Sequence, residues 1–418
     1  MADSNPFAAA TASPRPRLEQ VKELESRVLL RTYDRIPLLA VEGKGPWLYD
    51  AEGRRYLDFL AGIAVNALGY AHPRITRVLR EQGRRLLHLS NLYYHDYQGQ
   101  LAERLARLAG MERAFFANSG AEAVEAAIKI ARLHGRAIAP EKIELVALEN
   151  SFHGRTCGAL SITGQAKYRE PYQPLLPGVR LAPFNDAEGL RAVVSDRTCA
   201  IFIESIQGEG GVYPAEPDFL QLAAELTRRH RALLVIDEIQ CGLGRTGQWF
   251  AYQAAGIEPD LVTAAKPIAA GFPLSCLLAR GPAAELFHPG MHGTTFGGGP
   301  LACRLALEFL DIVEQDGLLE NVRAMGALLR EGLENIVRRN AMASAVRGQG
   351  LILALQLDRP ARPVVDQARQ MGLLLNATHE SVVRLLPPYI IEPRHVRLAL
   401  KTLSRALRTV QREQKQLP

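Results

Sequence analysis

Cysteine is scarce in this chain: five residues in 418, Cys157, Cys199, Cys241, Cys276 and Cys303. The count is odd, and no two are spaced as a C-x-x-C pair. This argues against a disulfide framework or a zinc site and for small buried thiols in a reducing, cytoplasmic setting. No apolar run approaches the ~20 residues of a membrane-spanning helix. No basic block marks a nucleic-acid arm: 50 Lys+Arg against 44 Asp+Glu leave a formal charge of +6 spread along the chain. Nucleic acid, membrane and metal are therefore not expected as partners. The GxxxxGK[ST] phosphate loop, HExxH and GxSxG are all missing. Residues 1–17 are rich in Ala, Ser and Pro and lack the continuous apolar core of a secretory signal. They read as a disordered tail, with an arginine-bearing, acid-poor transit peptide as the alternative.

Hydrophobic residues make up 47% of the chain and charged residues 22%, an ordinary globular balance. This length allows roughly two or three domains and a large core without staples. Residues 18–30 have a helical apolar rhythm. Residues 47–59 read as a hairpin, with Asp50-Ala51-Glu52-Gly53 as its turn. From about 70 to 310, helical patterns alternate with short apolar runs at 145–148, 200–203, 233–236 and 261–263. Such alternation predicts an α/β, doubly wound sheet with helices on both faces. After 301, one long helical stretch runs to about 339. Strand-like runs at 351–357 and 382–386 and a final helix over about 393–414 follow. This predicts a smaller α+β domain over 311–418, with the 18–69 segment packed against it.

Lys266 is the most informative residue. The apolar run 232–236 ends in Asp237-Glu238, and a second run, 261–265, ends at Lys266. As buried parallel strands, these would present an acid and an amine at their carboxyl ends, where open α/β sheets hold ligands. A lysine there can join an aldehyde covalently, and a carboxylate can keep a ring nitrogen protonated. That pair suits pyridoxal phosphate. Asn118-Ser119-Gly120-Ala121-Glu122 opens a helix over about 121–133 with capping-box spacing. Its free N–H groups would seat a phosphate, although such a start also serves merely as a cap. In Phe152-His153-Gly154-Arg155-Thr156, Phe152 or His153 can stack on a planar ring and Arg155 can grip a carboxylate. A core phenylalanine beside a surface arginine is the plain alternative. Glu204 and Glu209 flank a glycine-containing turn after a strand. Thr294-Thr295 and the glycines at 297–299 offer hydroxyls and bare N–H groups, or simply a linker. Arg384 interrupts an apolar run, where a guanidinium needs a partner. Gly242-Leu243-Gly244-Arg245-Thr246-Gly247 spells a dinucleotide fingerprint but does not close directly into a helix, so a nicotinamide cofactor is rejected.

Taken in order and spacing, these motifs resemble the class III, or ω-amino, pyridoxal-phosphate aminotransferases, from about residue 27 to the C-terminal region. The blocks 56–66 and Ser90-Asn91-Leu92-Tyr93-Tyr94 are most similar to members acting on N-acetylornithine. The resemblance implies the fold type I of pyridoxal-phosphate transferases. Its large domain, over 70–310, would carry a mainly parallel seven-stranded sheet, and the protein would be a homodimer with shared active sites. Lys266 would be the covalent anchor of the cofactor, and Asp237 the partner of its pyridine nitrogen. Ser119, Gly120 and Ala121 would hold the phosphate together with Thr295 of the neighbouring chain. Phe152 would stack on the ring, with His153 and Glu204 close by and Gln240 near the ring hydroxyl. Three positions depart from the family pattern: Pro267 after the lysine, Ser205 where proline is usual, and Gly298-Gly299-Pro300.

The reaction so implied moves the δ-amino group of N-acetylornithine to 2-oxoglutarate and yields glutamate. Glutamate carries a carboxylate beside its reacting carbon, which Arg384 would meet, and a far carboxylate for Arg155. An ω-amine lacks the first, leaving Arg384 unpaired; the family answer is a covering glutamate, and the matching position is Glu209. The far end of the ω-amine substrate would use Arg155 with Tyr33. Ornithine, succinylornithine or 4-aminobutyrate are alternative donors, and an aminomutase on the same fold is an alternative reaction. A non-catalytic regulator would be expected to lack the lysine or the acid, and both are present.

Overall fold

The computed structural model describes residues 17–415; apart from Arg17, the tail expected over 1–17 lies outside them. At its centre is a seven-stranded sheet. In chain order the strands are β1 (Arg113–Ala117), β2 (Glu144–Leu148), β3 (Val179–Ala182), β4 (Thr198–Glu204), β5 (Leu233–Asp237), β6 (Leu261–Ala264) and β7 (Ser275–Ala279). They lie side by side as β1-β7-β6-β5-β4-β2-β3. Only β7 runs against its neighbours; the other pairings are parallel. β2, β4, β5 and β6 are buried along their whole length. Strands covered on both faces need continuous apolar sequence rather than alternation, and these four are the runs read above. β7 escapes that reading because no α-helix separates it from β6, only the 3₁₀ turn Lys266–Ala269. β3, at the edge, is only partly buried.

Helix Gly120–Ile138 follows β1 and is longer than expected. Ser119 accepts the N–H of Glu122, and the Glu122 carboxylate accepts the N–H of Ser119 at 2.8 Å, a reciprocal cap that fixes where the helix begins. The single helical stretch expected after 301 is two helices, Pro300–Gln315 and Leu318–Arg339. Gly317 breaks it with φ +61, a left-handed backbone that glycine adopts without a Cβ clash.

The C-terminal sheet is antiparallel, with strands ordered Ala343–Gln349, Ile352–Leu357, Val382–Leu385 and Asn376–Thr378. The first and last were not expected, since neither is a buried apolar run. Arg384 registers opposite Ala354 on one side and Asn376 on the other. Near the N-terminus, strands Trp47–Asp50 and Arg55–Asp58 form the expected hairpin. Leu373–Leu374 pairs with its second arm in parallel, so residues from both ends of the chain share a sheet. All five cysteines are free; four are buried, but Cys157 is exposed, contrary to the buried reading. Among the described residues no helix is long and apolar enough to cross a membrane.

Helices Pro73–Gly83 and Pro300–Gln315 are joined by a buried carboxylate. Glu308 is bound by Arg74 Nε at 2.6 Å and Arg304 Nη2 at 2.8 Å. Burial works against ionisation, but the bonds from Arg74 and Arg304 outweigh it and hold the carboxyl below the usual glutamate range. Its stabilising effect is therefore present above the ordinary glutamate pKa of about 4.3 and lost as pH falls through the folded value. Glu308→Ala is expected to cost about 2–3 kcal/mol at neutral pH, read as a lowered urea midpoint, with the gap to the parent closing below about pH 4.

Candidate active site

The carboxyl ends of β4, β5 and β6 bring polar groups to the end of an otherwise apolar sheet. Asp237 lies in register with Glu204 on one side and Thr263 on the other. Successive strand residues face opposite ways, and the two neighbouring acids take separate routes. Asp237 lines a cleft. Glu238 instead accepts the N–H groups of Ala251 at 2.8 Å and Tyr252 at 3.1 Å and the hydroxyl of Ser205. Ser205, one of the departures from the family pattern, thus supplies a donor that proline lacks.

Asp237 Oδ2 accepts from His153 Nδ1 at 2.7 Å, and Oδ1 accepts the N–H of Ile239 at 3.0 Å. Burial disfavours the charged imidazole, but the bond to Asp237 and its charge prevail and raise the His153 pKa. Glu204 Oε2 accepts the N–H of Phe152 at 3.0 Å. Burial, reinforced by Asp237, pushes its carboxyl up to about 8 against the pull of His153. Lys266 leaves β6 with a positive φ and turns into the 3₁₀ segment Lys266–Ala269, in which Pro267 fits an early position. Its amine makes no hydrogen bond or ion pair among the described residues. Burial holds it below the ordinary lysine range, although Glu209 and Asp237 pull the other way.

The turn after β2 approaches the helix that follows β1. Gly154, at φ +141, leaves room for Ala121: a Cβ at 154 would come within 2.9 Å of the Ala121 Cβ. At Gly120 a Cβ would meet Ile239 at 2.8 Å. The backbone N–H groups of Gly120 and Ala121 have no partner among the described residues, as expected for a first helical turn, and both residues line the cleft. Phe152 meets Tyr168 edge to face at 6.0 Å. The Arg155 guanidinium lies 4.0 Å from the centre of the Tyr168 ring, and no carboxylate pairs with it among the described residues.

Across the cleft, Arg384 is 1% exposed. Its Nη1 donates to Glu209 Oε1 at 2.6 Å, to the Gly208 carbonyl at 3.0 Å and to Gln240 Oε1 at 3.2 Å. Nη2 donates to Asn376 Oδ1 at 2.7 Å. Gln240 Nε2 also reaches Glu209 at 3.4 Å. Burial opposes the Glu209 charge, but Arg384 more than compensates and lowers its pKa.

One cleft of about 460 Å³ therefore gathers Ser119, Gly120, Ala121, Phe152, His153, Arg155, Glu204, Glu209, Asp237, Gln240 and Lys266. Arg384 joins through Glu209. Tyr33 does not line it and is 81% exposed on the N-terminal segment; Thr295, expected to serve the neighbouring chain's site, is exposed. The residue reading missed Tyr168, which lies in a four-residue helix, and Asn376, on a three-residue strand. Neither carries a motif; the need of Arg384 for a partner in its apolar run pointed toward Asn376, and no sequence signal pointed to Tyr168. An unpartnered amine, a buried acid and a bare helix N-terminus in one cleft fit pyridoxal phosphate, whose aldehyde, ring nitrogen and phosphate call for those three groups.

The fold and this cleft define a pyridoxal-phosphate-dependent transferase. The family description "Aminotransferase class-III" matches residues 28–407, and the chain belongs to the class III aminotransferases. It is 45% identical over 380 residues to an acetylornithine aminotransferase of Aquifex aeolicus, covering 91% of this chain and 99% of that one. A Bordetella pertussis acetylornithine aminotransferase is 46% identical over 368 residues, covering 88% and 94%. Among solved structures, an ornithine aminotransferase of Toxoplasma gondii with partial occupancy of PLP at its active site superposes with TM-score 0.92 at 32% identity, covering 96% of each chain. An acetylornithine aminotransferase of Elizabethkingia anophelis gives 0.84 at 30%, covering 94% and 100%.

The raised Glu204 pKa has a stability consequence. Between the ordinary glutamate value and about 8 the folded state binds more protons than the unfolded one, so this residue makes stability fall as pH rises. In cofactor-stripped protein, Glu204→Gln is expected to flatten that slope, measured by urea unfolding at pH 5.5 and 8; an unchanged slope contradicts the assignment.

Proposed function

We propose that this protein transfers the terminal amino group of N-acetylornithine to 2-oxoglutarate, giving N-acetylglutamate semialdehyde and glutamate, a step of arginine biosynthesis. The observation that carries this is the unequal state of two cations: Arg384 is covered by Glu209, whereas Arg155 has no acidic partner among the described residues. A covered Arg384 suits an ω-amine, which has no carboxylate beside its reacting carbon. Glutamate needs the same arginine bare, so Glu209 must swing aside for the second half of the cycle. Arg155 serves the distal carboxylate of both substrates. The relatives' identity over nearly the full chain supports N-acetylornithine as donor.

Bound pyridoxal phosphate supplies an aldehyde that takes up the amine and a protonated ring that draws electrons from the bond being broken. In this reading Asp237 keeps the ring nitrogen protonated. An ion pair near 4 Å at intermediate dielectric is worth about 4 kcal/mol, and His153 orients the carboxylate for it. Phe152 would stack on the ring, Ser119, Gly120 and Ala121 would hold the phosphate, and Gln240 would lie by the ring hydroxyl. Lys266 anchors the cofactor between turnovers. Its Nζ, when free of the cofactor, would carry the proton from the substrate carbon to the former aldehyde carbon, the shift that amino transfer requires. An amine kept below its ordinary pKa by burial is better able to act as that base.

The proposed working unit is a cytoplasmic homodimer in which Thr295 of the partner subunit completes the phosphate seat. Supporting it, Leu92, Tyr93, Tyr94 and Phe296 are large apolar side chains left exposed in the single chain. Asn91 ties the first three to the Thr295 segment through the carbonyls of Thr294 and Gly297. Residues 18–69 and 311–418 would form one body and 70–310 the other.

An amine-donor panel read by glutamate formation tests the activity. N-acetylornithine is expected to exceed ornithine and 4-aminobutyrate in kcat/KM by about tenfold or more, and Lys266→Ala to abolish turnover with all three. A preference for free ornithine, or turnover without 2-oxoglutarate, contradicts the proposal.

A further inference from the structure

The segment bearing Glu209 is attached to the C-terminal sheet by its backbone as well as by its side chain. The Gly208 carbonyl accepts from Arg384 at 3.0 Å, the Glu209 carbonyl from the Thr378 hydroxyl at 3.1 Å, and the Gly211 carbonyl from Arg347 Nη2 at 3.1 Å. These three donors come from three strands of one sheet, Ala343–Gln349, Asn376–Thr378 and Val382–Leu385. Arg347 is itself held by Gln356 Oε1 at 2.9 Å and by the Tyr213 ring, 4.0 Å from its guanidinium. On its other side the loop passes close to residues that follow strands of the large sheet, and its glycines leave room for them. A Cβ at 208 would fall 1.8 Å from Gln240 Oε1, and one at 210 would fall 2.8 Å from the Asn150 carbonyl.

We propose that Thr378, with Arg347, is a positioning residue that locks the 208–211 backbone to the sheet carrying Arg384, so that Glu209 covers and uncovers Arg384 by side-chain rotation alone. The inference rests on the reading of Glu209 as that cover. Neither Thr378 nor Arg347 lines the cleft. Each acts through the loop, and together they make the arginine and its cover ride on one body. Without the Thr378 bond the loop samples positions in which the carboxylate no longer meets Arg384. The half-reaction that needs the arginine covered then suffers, and the one that needs it bare does not.

The test uses holoenzyme and single-turnover half-reactions followed by the cofactor spectrum, with N-acetylornithine and with glutamate. Thr378→Val, which keeps the shape and removes the donor, is expected to lower kcat/KM for N-acetylornithine about fivefold, the usual effect of one hydrogen bond. The glutamate half should stay within about twofold, and Thr378→Ser should restore the parent ratio. Arg347→Gln should produce the same asymmetry and serves if the valine variant fails to fold. In a Glu209→Ala background, Thr378→Val should add nothing. Equal losses in both halves, failure of serine to rescue, or an additive loss in that background overturns the anchoring role. Glu209→Ala alone separates the two levels: if it lacks the asymmetry, the cover reading itself fails, whereas its asymmetry with a symmetric Thr378→Val sinks only the anchor.

Discussion

Desolvation at the carboxyl ends of β4, β5 and β6 is the constraint on which the rest of this site depends. An acid, a second acid, an imidazole and an amine meet where the sheet is otherwise apolar. Burying such groups is costly unless each is paired or neutralised. Here each takes a different way out. Asp237 is bonded to His153 and to a backbone N–H. Glu204 is pushed up to about 8 by burial. Lys266 has no bonding partner among the described residues, and the same burial lowers its pKa. Groups forced apart in pKa within one cleft mark acid–base chemistry, and the amine without a partner is the one most ready to react.

The second charge problem lies on the other wall. Arg384 and Glu209 are brought together from 175 residues apart in sequence, and the guanidinium is almost wholly shielded from water. Breaking a buried pair leaves an uncompensated charge, so in the proposed cycle Glu209 would release Arg384 only when another carboxylate replaces it. That exchange would couple the arginine's exposure to the chemistry of the incoming substrate. Gln240, bonded to both partners, adds a neutral amide that can follow either state. In the proposed cycle the site would thus join a fixed acid–base wall on the large sheet to an adjustable charge on the small one.

Legibility followed how local each signal was. Asp237 and Lys266 end continuous apolar runs, and a fully covered parallel sheet writes that pattern plainly into sequence. The start of the helix after β1 was readable because Ser119 and Glu122 satisfy each other three residues apart. β7 was not, since it returns beside β6 without an intervening α-helix. The break at Gly317 was missed because apolar periodicity continues on both sides of it. The role of Arg384 could be posed from its apolar surroundings, but its partner came only through family resemblance, because a pairing across the whole chain leaves no local trace. Tyr168 and Thr378 sit on elements of four and three residues, too short to show a period, and only the folded chain brings them to Arg155 and Glu209.

The most direct measurement is borohydride reduction of the pyridoxal-phosphate-loaded protein followed by peptide mass mapping. The central claim predicts a phosphopyridoxyl group on Lys266 and on no other lysine. A colourless protein that takes up no cofactor, or a label on a different amine, would contradict it.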